Sequence, residues 1–183
     1  MKIGVLPVGE VSLDILSAAG QGLIRIFPDS SFKVINEPLP VPMQAFDKQR
    51  GQHNSSIILS VLRSTASLHM GLHRVLGVLD ADIYASGLNY VFGEAYAPGR
   101  AALISLWRLK PQFYGEKADA DVFQLRVLKE AVHELGHTLG LGHCSKSYCV
   151  MHFSNSIFDT DRKQSFFCEQ CYLQAAYAIA KLG

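Results

Sequence analysis

The chain has 183 residues, 49% of them hydrophobic and 18% charged, with a formal net charge of +1. This composition fits one folded domain with a sizeable core and excludes a disordered chain. The near-zero charge gives no reason to expect nucleic acid as a partner, and no run of about 18 apolar residues marks a membrane span.

Residues 2–8 read as a first strand, a short apolar run containing Pro7. The run lacks the length and the small-residue cleavage site of a signal peptide, so a cytoplasmic, unprocessed chain is expected. Residues 12–27 carry helical spacing in Leu13, Leu16, Leu23, Ile24 and Phe27, and Ser12 can cap the start. Gly20 and Gly22 weaken that pattern in its middle. Residues 31–35 resemble a second strand, which Pro38, Pro40 and Pro42 bring to an end. Residues 54–65 predict a second helix, with Ile57, Ile58, Val61 and Leu62 on one face.

Residues 74–83 have the pattern of a buried strand, and residues 90–96, beyond Gly87, suit an edge strand. Pro98-Gly99 turns the chain into another strand at 101–109, followed by a polar loop at 110–119. The longest helical pattern spans 120–141, through Val122, Leu125, Leu128, Val132 and Leu135. After Gly142 the chain is loop-like and cysteine-rich, and an alanine-rich helix at 170–182 closes it. Strands and helices alternate, which predicts a single α/β (α+β) domain. Its mixed, mostly parallel twisted sheet would carry an antiparallel edge strand.

The long helix holds His133-Glu134-Leu135-Gly136-His137, continued by Thr138-Leu139-Gly140-Leu141-Gly142-His143. Four residues are about 400° of helix, so His133 and His137 share a face and can reach one zinc ion. Glu134 lies about 100° away and can flank the metal as a general base for an attacking water. On a continued helix His143 would lie about 15 Å from His133 and could not join them. Gly140 resolves this by ending the helix with positive φ, and Gly142 adds freedom to the return. Three histidines leave the fourth position open, as catalytic zinc requires.

All four cysteines, Cys144, Cys149, Cys168 and Cys171, lie in the last quarter of the chain. Their spacing fits one closed, four-thiolate structural zinc that would pin the tail to the loop after His143. Two disulfides, or a redox-active Cys168-x-x-Cys171, are the alternatives.

With its Gly140 and His143, the motif resembles the metzincin clan. Cys144, Cys149, Met151, Cys168 and Cys171 then make the chain similar to the archaemetzincin (archaelysin) family of zinc metallopeptidases. Segments 75–84, 89–95 and 105–115 also look like the family's upstream segments, so the resemblance covers most of the chain. It implies a single metzincin-like domain over 1–183, with an upper part (1–143) ending at the third histidine. A lower part (144–183) would be held by the four-cysteine zinc.

The same resemblance implies two zinc ions per chain, one catalytic on His133, His137 and His143 and one structural on the cysteines. It makes Glu134 the general base and Met151 the methionine of the turn beneath the metal. It assigns backbone pairing with substrate to the edge segment Asn89, Tyr90, Val91, Phe92, Gly93, Glu94 and Ala95. One position departs from the pattern: some metzincins carry a tyrosine two residues after the methionine, where this chain has Phe153. Tyr148 and His152 are weak substitutes.

His69 and His73 read as loop histidines, Asp80 and Asp82 as turn or capping groups. Arg126, Lys129 and Glu130 read as a solvated helix face. The expected function is zinc-dependent peptide hydrolysis by a monomer. A non-catalytic, zinc-stabilised peptide-binding module is the alternative. Side-chain specificity is not encoded in spacing.

Overall fold

The computed structural model describes residues 1–182. In chain order, β1 (Lys2–Val8) leads to α1 (Leu13–Ile26) and β2 (Ser31–Val34). Two short strands, β3 (Phe46–Asp47) and β4 (Gln52–Asn54), precede α2 (Ser55–Leu68). There follow β5 (Arg74–Leu79), β6 (Ile83–Tyr84), β7 (Gly93–Ala95) and β8 (Ala101–Ser105). The chain closes with α3 (Ala120–Thr138), α4 (Ile157–Arg162) and α5 (Glu169–Ala180).

The main sheet runs β2-β1-β5-β8-β7. Its first four strands are parallel, and β7 pairs antiparallel with β8 at the edge. The α/β architecture with an antiparallel edge strand is therefore as expected. Alternation along each buried strand sorts the side chains between two cores. Ile3, Val5, Leu76, Val78, Ala102 and Ile104 join the core that also takes in buried residues of α1, α3 and α5. Leu6, Val8, Val75, Leu79, Ala101 and Leu103 face the core with α2. Both faces are covered, which is what a parallel sheet demands.

Helix starts follow local chemistry. The Ser12, Asn54 and Asp119 side chains accept the N–H groups of Asp14, Ile57 and Val122. Gly20 and Gly22, unfavourable by propensity, are close-contact points: a Cβ at Gly20 would strike the Phe32 ring, and one at Gly22 would lie 2.6 Å from Leu128.

Several boundaries differ from expectation. The strand predicted over 74–83 stops at Leu79, because Asp80 and Asp82 turn outward to Lys110 and Arg108 at 2.7 and 2.6 Å. Those aspartates are ion-pair partners, not turn or capping groups. The strand predicted over 101–109 stops at Ser105, whose hydroxyl donates to the Ala81 carbonyl and accepts the Trp107 N–H as a 3-10 turn begins. The edge strand is three residues long, not seven. Strands β3 and β4 and helix α4 fall where loops were expected, and β6 starts at the last residue of the strand predicted over 74–83; all are too short to show a period.

Candidate active site

Helix α3 ends at Thr138, three residues earlier than its apolar pattern suggests. Gly140 takes φ of 91°, where the Leu141 N–H reaches the Gly136 carbonyl and the Gly140 N–H reaches that of His137. This is a Schellman-type stop, and it depends on glycine at that position. Gly142 is not among the residues with positive φ, so Gly140 makes the reversal without it. His143 is thereby brought back to the helix face. Its ring centroid lies 5.4 Å from that of His133 and 4.9 Å from that of His137.

The hydrogen bonds of these rings select their tautomers. His133 Nδ1–H donates to the Val150 carbonyl at 2.8 Å, and His137 Nδ1–H to that of Leu141 at 2.7 Å. Each Nε2 then carries only a lone pair, and the two Nε2 atoms face each other at 3.1 Å. Two acceptors aimed at one another repel unless a cation lies between them. A ligand nitrogen from each of His133, His137 and His143 lies within 4.8 Å of the others. Tetrahedral zinc at ~2.0–2.1 Å from each nitrogen fits that triangle. Burial, as the leading cause, pulls all three imidazoles below the usual histidine range, into the neutral form a metal needs.

Glu134 is buried beside this cluster. Its burial, followed by the charge of Glu130, lifts its carboxyl well above the usual range, and Lys163 opposes the shift. Gly93 of β7 leaves it space: a Cβ there would come 2.6 Å from Glu134 Cγ. Met151 packs beneath the motif, where its sulfur fills the space a side chain at Gly136 would need. The Phe153 ring stacks edge-on against His143, with centroids 4.8 Å apart. Tyr148 and His152 instead line a separate depression with Asp159 and Arg162. His69 caps the end of α2, and His73 Nδ1 accepts the Lys2 N–H.

The second cluster is sulfur-rich. One Sγ from each of Cys144, Cys149, Cys168 and Cys171 lies within 4.8 Å of the others, and all four thiols are free. Cys144 and Cys168 Sγ are 3.8 Å apart. Four sulfurs at ~2.3 Å from one tetrahedral zinc are separated by about that distance. The Cys168 N–H donates to Cys149 Sγ at 3.3 Å. Burial raises Cys149 and Cys171. At Cys168 burial pushes the same way, but the Cys171 N–H and the neighbouring thiols bring it down to about 7.

A cleft of about 420 Å³ lies over the histidines. One rim is formed by residues 89–95, the other by Phe153, Ser154 and Asn155, with Glu130 and Lys163 also in its wall. Within the first rim Glu94 turns its carboxylate to the Ser55 and Ser56 hydroxyls at the start of α2, which braces the strand. Only Gly93–Ala95 pair as strand, with one edge unpaired in the main sheet.

Arg126, Lys129 and Glu130 do not form a solvated face; all three are buried. Arg126 grips Asp161 at 2.8 and 2.7 Å, Lys129 donates to the carbonyls of Thr160 and Asp161, and Glu130 pairs with Lys163 at 3.1 Å. Together they hold α4 against α3. For Glu130 alone there was a partial signal, since it lies one turn before Glu134 on the same face. Lys163 had none. Removing one partner of a buried pair strands the other charge, so Glu130→Ala should cost about 3–5 kcal/mol of stability in a denaturant titration. The double replacement Glu130→Leu/Lys163→Met should recover most of that loss.

Comparisons with known proteins show the family. The model for peptidase family M54 matches residues 39–176. An archaemetzincin of Methanocaldococcus jannaschii is 44% identical over 171 residues, covering 93% of this chain and 90% of the relative. The crystal structure of archaemetzincin from Methanopyrus kandleri superposes with a TM-score of 0.86 at 34% identity, covering 98% of this chain and 96% of that one. A zinc-dependent peptidase from Methanocorpusculum labreanum gives a TM-score of 0.85 at 27% identity, covering 94% and 99%.

Proposed function

The chain belongs to peptidase family M54, the archaemetzincins, and is a zinc metallopeptidase; from that premise we propose that Glu134 is its general base and that His133, His137 and His143 hold the catalytic zinc. When bound there, zinc supplies Lewis acidity, which polarises the scissile carbonyl and makes a water easier to deprotonate. A Glu134 carboxylate oxygen accepts the proton of the attacking water. It can then deliver that proton to the leaving amine. The Val150 and Leu141 carbonyls fix the imidazoles, and Met151 supports them from below. The free edge of β7 offers backbone groups to an extended peptide. Phe153 packs edge-on against the His143 ring and helps to position it.

One observation carries this reading: two Nε2 lone pairs face each other at 3.1 Å, with both Nδ1 hydrogens already engaged. The cysteine cluster is proposed to take a second, structural zinc. It would join a lower part (144–183) to an upper part (1–143) of a single domain. Among the described residues no helix is long and apolar enough to cross a membrane. One chain supplies every residue of both clusters, so a monomer could carry the complete site.

The test is brief chelation until one zinc per chain remains, with the fold monitored by circular dichroism. Peptide hydrolysis should disappear and return when zinc is added. Hydrolysis that persists with the histidine site emptied would overturn the assignment.

A further inference from the structure

The two rims of the cleft touch. The Tyr90 hydroxyl donates to the Asn155 carbonyl at 2.8 Å, across 65 residues of sequence. Tyr90 and Asn155 both line the cleft that holds the three histidines. On the first rim Gly93 abuts Glu134, and Tyr90 is three residues upstream. On the second rim Phe153 packs on His143, and Asn155 is two residues further along. Moving away from the metal along either rim therefore leads to the same bridge.

Both posts of the bridge are anchored. The Tyr90 ring packs edge-on against Phe92, with centroids 5.5 Å apart, and the Arg108 guanidinium sits 4.2 Å over it. Arg108 is held by Asp82 at 2.6 and 2.7 Å. Gln52 ties the same Asp82 to the Asn89 carbonyl. On the other side the Asn155 N–H donates to Asp159 in the first turn of α4. That helix is clamped to α3 by the Arg126–Asp161 pair and the Lys129 hydrogen bonds. A single exposed hydrogen bond between free loops would open easily. Here each loop is tied to the rigid sheet or to the active-site helix.

We propose that the Tyr90–Asn155 bridge is an end stop of the peptide cleft, so that the enzyme cleaves near one chain terminus and not at internal bonds. An extended chain advances about 3.3 Å per residue, so the three-residue step from Gly93 to Tyr90 leaves room for at most about three substrate residues on that side. The cleft volume of about 420 Å³ lies toward the small end of ligand sites, which run ~300–1,000 Å³. Tyr90 is thus a specificity-determining residue. The inference rests on the peptidase reading of the cleft.

The experiment maps, by mass spectrometry, the products that the zinc-loaded full chain releases from peptides of graded length. The expected products are terminal fragments of no more than about three residues, always from the same end. In Tyr90→Phe, cleavage at internal bonds relative to terminal ones should rise about fivefold, the worth of one neutral hydrogen bond. Tyr90→Ala should raise it further, and Tyr90→Phe carries the test if the alanine variant does not fold.

Wild-type protein cutting deep inside long peptides as readily as near their ends would overturn the stop while leaving the peptidase reading intact. So would an unchanged fragment length in both variants. If no peptide is cut, the peptidase reading fails, and binding decides the stop. Affinity of Glu134→Gln for labelled peptides should then level off after about three residues on one side, and keep rising when Tyr90→Ala is added. Identical length dependence with and without Tyr90→Ala would overturn it.

Discussion

Glu134→Gln should lower kcat by about 10²–10⁴-fold while leaving the zinc content unchanged. The amide has the shape of the carboxylate but cannot take a proton from water. It also keeps the contact with Gly93, so the pocket needs no repacking. Zinc retention follows from the local hydrogen bonds: His133 and His137 are set by the backbone carbonyls of Val150 and Leu141, not by Glu134. Steady-state kinetics on a short peptide and metal analysis of the same preparation check both halves. KM should move little, since the loss belongs to the transition state and not to ground-state binding. Activity within about tenfold of wild type would mean that another group moves the proton.

Cys149→Ser should have the largest effect on stability. Cys149 is fully buried and accepts the Cys168 N–H, and it directly precedes Val150 and Met151. Its neighbours are therefore the carbonyl that orients His133 and the side chain that supports Gly136. The Cys144 N–H also bonds the Met151 carbonyl at 2.9 Å, so the sulfur cluster and the turn beneath the histidines form one unit. Structural zinc contributes an apparent ~10–16 kcal/mol in small domains, and losing one of four thiolates should cost at least about 3 kcal/mol. For a chain of this size that is a fall of roughly 10 °C in Tm. Zinc content should drop from two ions per chain toward one. A loss below about 1 kcal/mol with zinc content unchanged would make these thiols ordinary core residues.

That these histidines and cysteines gather into two clusters was largely legible in the sequence, because the logic is local. Helical periodicity places His133 and His137 together, and only glycine at 140 makes His143 reachable; the observed φ of 91° is that requirement met. The parallel sheet was readable from apolar runs that are buried on both faces. What escaped is non-local. The burial of Arg126, Lys129 and Glu130 depends on α4, a six-residue helix with no detectable period, and on Lys163, which is remote in sequence. The Val150 and Leu141 carbonyls that select the histidine tautomers are backbone atoms, which no residue pattern announces. Asp80 and Asp82 looked like turn residues because their partners Lys110 and Arg108 follow a further strand. Residues 89–92 looked like strand, yet the strand is Gly93–Ala95, extended by one bond from the Ser105 N–H to the Phe92 carbonyl. In the preceding stretch the Val91 N–H turns to the Ile83 carbonyl instead.

The most direct test sets catalysis against mere peptide capture. Protein with both clusters filled, verified as two zinc ions per chain, is incubated with a broad peptide mixture and the products are sequenced by mass spectrometry. The expected result is new peptide termini, absent from a parallel incubation with Glu134→Gln. Intact peptides after incubation with fully zinc-loaded protein would contradict the account and favour a zinc-stabilised binding module.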